Sequence, residues 1–85
     1  MGLSELRKSA GMSQRDLANA TGISVRLLQA YEQGVRDING AKLLTLLQLA
    51  NVLNCSIDQI ISDNATLDQL SIYQHNLLHG TTNVV

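Results

Sequence analysis

The side chains able to do chemistry in this sequence are few and widely spaced. Cys55 is the single cysteine, His75 and His79 stand four residues apart, and the cations Arg7, Lys8, Arg15, Arg26, Arg36 and Lys42 all lie in the first half of the chain. A histidine pair at that spacing on one helix face can hold a metal ion, but no Cys, Asp or Glu lies near enough in sequence to complete the ligand set. The two read as surface histidines, so no metal and no other cofactor is expected. One cysteine closes no internal disulfide. Nucleophilic and acid–base catalysis need groups held within hydrogen-bond reach of one another. No Ser-His-Asp set, paired-carboxylate cleft or glycine-rich phosphate loop can be assembled here, and a protein that is not an enzyme is expected.

Binding is the chemistry that remains, and the charges say where. The net charge is -1, which taken alone argues against a polyanion as partner. Residues 1–42, however, hold every basic side chain against Glu5, Asp16, Glu32 and Asp37, while residues 43–85 hold only Asp58, Asp63 and Asp68. So uneven a distribution gives one face to a polyanion and leaves another for a different task.

Helices must position those groups. At 85 residues, 45% of them hydrophobic, the chain makes one small domain, with stability thin enough that a partner subunit would help it. Without Phe, Trp or Pro the core is aliphatic and leucine-rich, and an all-α fold follows. Leu3, Leu6 and Ala10 mark one face of a first helix that stops at Gly11. Ser13 and Asp16 form a capping box opening a second, buried through Leu17 and Ala18 and ended at Thr21-Gly22. Ser24 caps a third, with Leu28 and Tyr31 turned inward and Gly34 as its left-handed stop. Past the polar loop GVRDIN, Asn39 is expected to cap a fourth helix over 41–54, with Leu43, Leu46, Leu47, Ala50 and Leu53 on one stripe. Leu44, Leu49 and Val52 extend its apolar surface nearly all round, so this helix is central or covered on its second side. SIDQ at 56–59 opens a short fifth helix carrying Ile57, Ile60 and Ile61. TLDQ at 66–69 opens a sixth with Leu67, Leu70, Tyr73 and Leu77 in phase and Ile72 and Leu78 beside them. The closing GTTNVV has no amphipathic period. No apolar run is long or early enough for a signal peptide or membrane span, and a cytoplasmic protein is expected.

Residues 13–34, SQRDLANATGISVRLLQAYEQG, join the second and third helices at one tight turn. Small Ala18 lets two such helices approach, Gly22 takes the turn, and Ile23 and Leu28 lock the crossing, which is the frame of a helix-turn-helix. On that stretch alone an ordinary helical hairpin is the alternative. The wider pattern is more specific: GMSQ at 11–14, DLA at 16–18, TGIS at 21–24, YEQG at 31–34 and LAxxLxxSIDQI from 49 to 60. Together these resemble the Cro and phage-repressor (Xre-type) helix-turn-helix family across residues 3–61. The resemblance implies a compact five-helix lambda-repressor-like DNA-binding domain over residues 1–63, with helix two near 14–20 and the recognition helix near 24–33. Residues 64–85 are left as an additional C-terminal helix and tail for packing or dimerisation. The implied function is a sequence-specific transcriptional regulator, a repressor, bound as a dimer to a palindromic operator in double-stranded DNA.

By the same resemblance Gln14, at the start of helix two, grips a phosphate with Arg15 beside it, and Ser24 belongs to the DNA-contacting set. Arg36 and Lys42 embrace the flanking backbone. Such contacts set position and salt dependence rather than sequence. Arg7 and Glu32 match a pair that in relatives joins helices one and three, which makes Arg7 scaffold first and a phosphate ligand second. Base reading falls to Val25, Arg26, Gln29, Ala30 and Gln33, which the helical period turns away from Leu28 and Tyr31. Arginine pairs bidentately with guanine and glutamine with adenine, each worth about 1–3 kcal/mol of discrimination, whereas Val25 and Ala30 can touch only a thymine methyl. Leu27 stands where relatives commonly carry Ser or Thr, and that departure removes a polar contact. The reading edge is sparse, so modest intrinsic specificity is expected. Cys55 falls where relatives keep a core aliphatic and reads as a small hydrophobe.

Two tasks compete for the C-terminal helix. It either folds back over its own domain or pairs with a second copy, in a homodimer that uses it together with helix five. Such a dimer sets two recognition helices about 34 Å apart, one turn of B-DNA. A different class of protein uses the same surface: an antitoxin-like module whose C-terminal helix holds a toxin or other protein partner. That second reading requires the helix to keep its apolar surface exposed in the free protein.

Overall fold

Among the described residues, six α-helices and one 3-10 turn follow in order: α1 (Leu3–Ser9), α2 (Gln14–Thr21), α3 (Val25–Glu32), the turn Ile38–Gly40, α4 (Leu43–Leu53), α5 (Ile57–Ile60) and α6 (Asn64–His79). The computed structural model describes residues 2–79, and no strand occurs among them. The GTTNVV tail lies outside the described residues.

Local chemistry fixes most of these boundaries. Ser13 Oγ accepts from the Asp16 N–H at 3.0 Å while the Asp16 carboxylate accepts from the Ser13 N–H at 3.0 Å, closing the capping box and holding the Asp16 carboxyl below its usual range. Ser24 Oγ accepts from the Leu27 N–H at 3.1 Å, a cap worth about 1 kcal/mol. Gln59 reaches back to the Ser56 N–H at 2.9 Å. At the end of α3 the Val35 N–H closes on the Ala30 carbonyl at 2.9 Å, over Gly34 at φ 77°. That left-handed backbone suits only a residue without a Cβ clash, as does Gly22 at φ 79° in the turn between α2 and α3.

Two helix starts differ from expectation. Asn39 does not cap α4, because its side chain bridges to a distant part of the chain. Its Oδ1 accepts from the Ser62 and Asp63 N–H groups at 2.8 and 3.1 Å, and its Nδ2 donates to Asp37 Oδ1 at 2.9 Å and to Ser62 Oγ at 3.3 Å. The helix starts after Lys42, whose side chain makes no cap. Nor does Thr66 open α6. Asp63 Oδ2 accepts from the Thr66 N–H at 2.9 Å and its hydroxyl at 2.7 Å, so Asp63, the stronger cap former, starts the helix three residues earlier.

Leu17, Leu28 and Leu49 are the largest fully buried side chains, surrounded by Leu3, Leu6, Ile23, Leu46, Leu53, Ile60 and Ile61. Helix α4 buries Leu46, Leu49, Ala50 and Leu53 and packs on α2 and α5. Leu43 and Leu47, expected inside, are 64% and 41% exposed, and Leu49 takes the centre. In a helix this rich in leucine two overlapping stripes are equally apolar, so packing rather than periodicity selects between them. Helix α6 meets the core through its first turns. Leu67 and Leu70 are half-buried, and every residue from 71 to 78 is exposed.

Candidate nucleic-acid interface

The recognition region is built outward from a buried charge. Arg7 on α1 donates from Nε to Glu32 Oε2 at 2.7 Å, from Nη2 to Glu32 Oε1 at 3.0 Å, and from Nη1 to the Met12 carbonyl at 2.8 Å. The two side chains are only 11% and 7% exposed. The fork of the guanidinium matches the carboxylate bidentately, the strong form of this contact. That bond holds the Glu32 carboxyl below its usual range against the opposing pull of burial, with help from Gln14 and the Ser4 hydroxyl. Arg7 therefore acts as scaffold, tying α1 to the end of α3.

From this pair the network continues to the surface. Gln14 Nε2, on the first residue of α2, donates to Glu32 Oε1 at 3.1 Å, and Gln29 Nε2 on α3 donates to Gln14 Oε1 at 3.3 Å. Two residues predicted from sequence for different tasks, phosphate contact and base reading, are bonded to each other.

On α3 Arg26 and Gln29 are exposed, as are its caps Ser24 and Gln33, while Val25, Leu27 and Ala30 are half-buried. Val25 and Leu27 pack against the core, which leaves Val25 less free surface than its place near the helix start suggests. Arg15 is exposed on the first turn of α2, and Gln14 is half-buried there.

Arg36 and Lys42 come together in a shallow cleft of about 350 Å³, lined also by Leu27, Tyr31, Gly40, Ala41 and Thr45. No side chain caps the first turn of α4 at this point, so its leading N–H groups can serve an anion. Thr45 was missed in the sequence, although its position three residues past Lys42 puts it one helical turn on. Cys55 is half-buried, and burial, aided by the Asp58 carboxylate, raises its thiol pKa and keeps it protonated. His75 is exposed, and the His79 side chain lies outside the described residues. Among the described residues, no cluster of three or more metal-ligating side chains occurs, and no helix is long and apolar enough to cross a membrane.

Two short helices crossing at Gly22, locked by Leu17, Ala18, Ile23 and Leu28 and presenting the outer edge of the second, define a helix-turn-helix domain. A helix-turn-helix family model matches residues 3–60. The chain belongs to that family, the Cro/C1-type, Xre-like DNA-binding regulators. No curated protein and no solved structure matches it. The match spans α1 to α5 and stops short of α6.

Proposed function

We propose that this protein is a sequence-specific transcriptional repressor that works in the cytoplasm, binds a palindromic operator as a homodimer and lays α3 in the major groove. The observation that carries the reading is the exposed row of Ser24, Arg26, Gln29 and Gln33 on α3 and its caps, borne on a rigid frame. Arg26 pairs with guanine and Gln29 with adenine. Val25 and Ala30 offer apolar contact to a thymine methyl, and Gln33 extends the edge. Gln14, Arg15 and the Ser24 hydroxyl hold one stretch of phosphates. Arg36, Lys42 and the uncapped N–H groups of α4 hold another. Residues 1–63 form the DNA-binding unit and 64–85 the pairing segment, which meets a second copy through α5 and α6.

Selection of bound duplexes from a randomised pool, repeated with Arg26→Ala, tests this. The expected outcome is a twofold motif whose guanine preference fades in the variant by about tenfold, with log K falling at about -0.9 per phosphate neutralised. No enrichment by the wild type would overturn it.

A second reading has its own support in the exposed Ile72, Tyr73, Leu77 and Leu78 of α6: an antitoxin-like subunit that holds a toxin or other protein on that helix. Co-purification of a stoichiometric partner from the native host favours it, and self-association alone counts against it.

A further inference from the structure

We infer that Asn39 is a positioning residue for phosphate binding, holding the loop that carries Arg36 and Lys42 in place from the start of α6. This rests on Arg36 and Lys42 being cations that grip the DNA backbone. The two stand three residues to either side of Asn39, in the link over residues 33–42 between α3 and α4, and they share one cleft. Long cationic side chains on a loose loop lose freedom when they meet a phosphate, and a loop already fixed avoids much of that loss.

Little else in the link sets its position. The Val35 and Arg36 N–H groups close on the Ala30 carbonyl at 2.9 and 3.1 Å and fix its first residues. From Asp37 to Ala41 the backbone bonds stay inside the loop, Gly40 N–H to the Asp37 carbonyl and Ala41 N–H to the Ile38 carbonyl, both at 3.1 Å. Ile38 and Ala41 pack on the core, but apolar contact is non-directional and does not set the rotation of the turn.

The Asn39 side chain sets it, because both ends of its amide are committed. The Ser62 and Asp63 N–H groups can only donate, so Oδ1 has to face them, at 2.8 and 3.1 Å. That turns Nδ2 to two acceptors, Asp37 Oδ1 at 2.9 Å and Ser62 Oγ at 3.3 Å. Asp37 Oδ1 also accepts from the Asn39 N–H at 3.0 Å, so the turn and the clasp lock each other. Among side chains of this length the amide supplies an acceptor and a donor together. An aspartate here would set a second carboxylate beside Asp37. Asp63 in turn caps α6 through Thr66, so the loop is braced on the residue that begins that helix. The chain Arg7–Glu32–Gln14–Gln29 shares no residue with this clasp, so Asn39 governs the strength of the grip and leaves base reading alone.

The test titrates wild type, Asn39→Ala, Arg36→Ala/Lys42→Ala and the triple variant against the selected duplex and its single-base variants over a range of salt, with thermal unfolding of each protein as a folding check. The expected result is that Asn39→Ala weakens every duplex by about five- to tenfold, makes the salt slope shallower by about 0.9 and leaves base preferences unchanged. Arg36→Ala/Lys42→Ala then costs about fivefold less in the Asn39→Ala background than in wild type, since the three act as one unit. The exchange Asp37→Asn/Asn39→Asp keeps the net charge, an oxygen toward residues 62 and 63, and a donor–acceptor pair between the two side chains, reversed in direction. It should bind within about threefold of wild type, and it carries the test if Asn39→Ala does not fold. The inference is overturned if Arg36→Ala/Lys42→Ala costs the same in both backgrounds, which makes Asn39 a staple of the fold alone. It is equally overturned if Asn39→Ala changes the preference at one base pair, or if the folded exchange variant binds more than about tenfold more weakly than wild type. Binding that does not change when Arg36 and Lys42 are removed from wild type overturns the phosphate clamp itself, an outcome distinct from these.

Discussion

The junction of α1, α2 and α3 and the far half of α6 are both short helical stretches, and they are ordered in opposite ways. At the junction three helices of 7, 8 and 8 residues, each too short to persist alone in water, close on one another through Leu6, Leu17 and Leu28 and through the chain Arg7–Glu32–Gln14–Gln29. No buried side-chain nitrogen or oxygen among the described residues lacks a partner. Helix α6 has 16 residues, yet from Ser71 to Leu78 none is covered. The first region carries its order within itself. The second leaves Ile72, Tyr73, Leu77 and Leu78 exposed, and no other described residue covers them.

The comparison breaks most visibly if the junction is opened. Glu32→Ala leaves a nearly buried guanidinium unpaired, which costs about 3 kcal/mol or more. In a domain this small that lowers the midpoint of thermal unfolding by more than about 10 °C, read by helical circular dichroism. Acid should open the same joint. Because the folded Glu32 pKa is depressed, its stabilisation is complete above the ordinary glutamate value of about 4.3 and is lost as pH falls through the lower folded value. Asp16 and Asp63, also depressed by their caps, act in the same direction. Glu32→Gln, which keeps the shape without the charge, should flatten the acid limb relative to wild type. An unchanged limb would mean that the pair does not hold the joint.

The two regions also differ in how far they could be read from sequence. The caps at Ser13, Ser24 and Ser56 and the glycine stops were legible because each is settled within a few residues of chain. Asn39 and Thr66 were misread for the opposite reason. Asn39 is claimed by Ser62 and Asp63, 23 and 24 residues away, and Thr66 had a stronger cap former just before it. The phase of α4 was ambiguous because leucine lies on all its sides. The Arg7–Glu32 pair came from family resemblance, not from any local rule. Its extension through Gln14 to Gln29 spans 15 residues and shows only once α2 and α3 are crossed. The task of α6 is written in neither the family match, which ends at residue 60, nor the fold.

A charge placed on α6 sharpens the contrast. If a second copy covers this helix, Leu77→Asp, at a side chain 62% exposed in the single chain, should weaken self-association by about thirtyfold, a central apolar anchor being worth about 2 kcal/mol. Sedimentation equilibrium reads this directly. Unfolding of the dilute monomer should shift by no more than about 2 °C, since a surface substitution there loses nothing internal. A fall as large as that of Glu32→Ala would show that α6 is packed on its own domain after all.

The head of α4 stands between these extremes, and the smallest effect is expected there. Its far turns are buried through Leu49 and Leu53, but its first turn has no side-chain cap and faces the cleft of Arg36 and Lys42. On the proposed reading a phosphate completes this turn. Replacing Lys42 by serine therefore acts with opposite sign on folding and on binding. The hydroxyl supplies the missing cap, worth about 1 kcal/mol, and raises the unfolding midpoint of the free protein by about 4–8 °C. The lost cation weakens every duplex by a similar factor and makes the salt slope shallower by about 0.9, with base preferences unchanged. If Lys42→Ser instead altered the preference at one base pair, Lys42 would belong to the reading edge with Arg26 and not to the backbone clamp. If binding did not change, the uncapped turn would be a local imperfection of the fold rather than a phosphate seat.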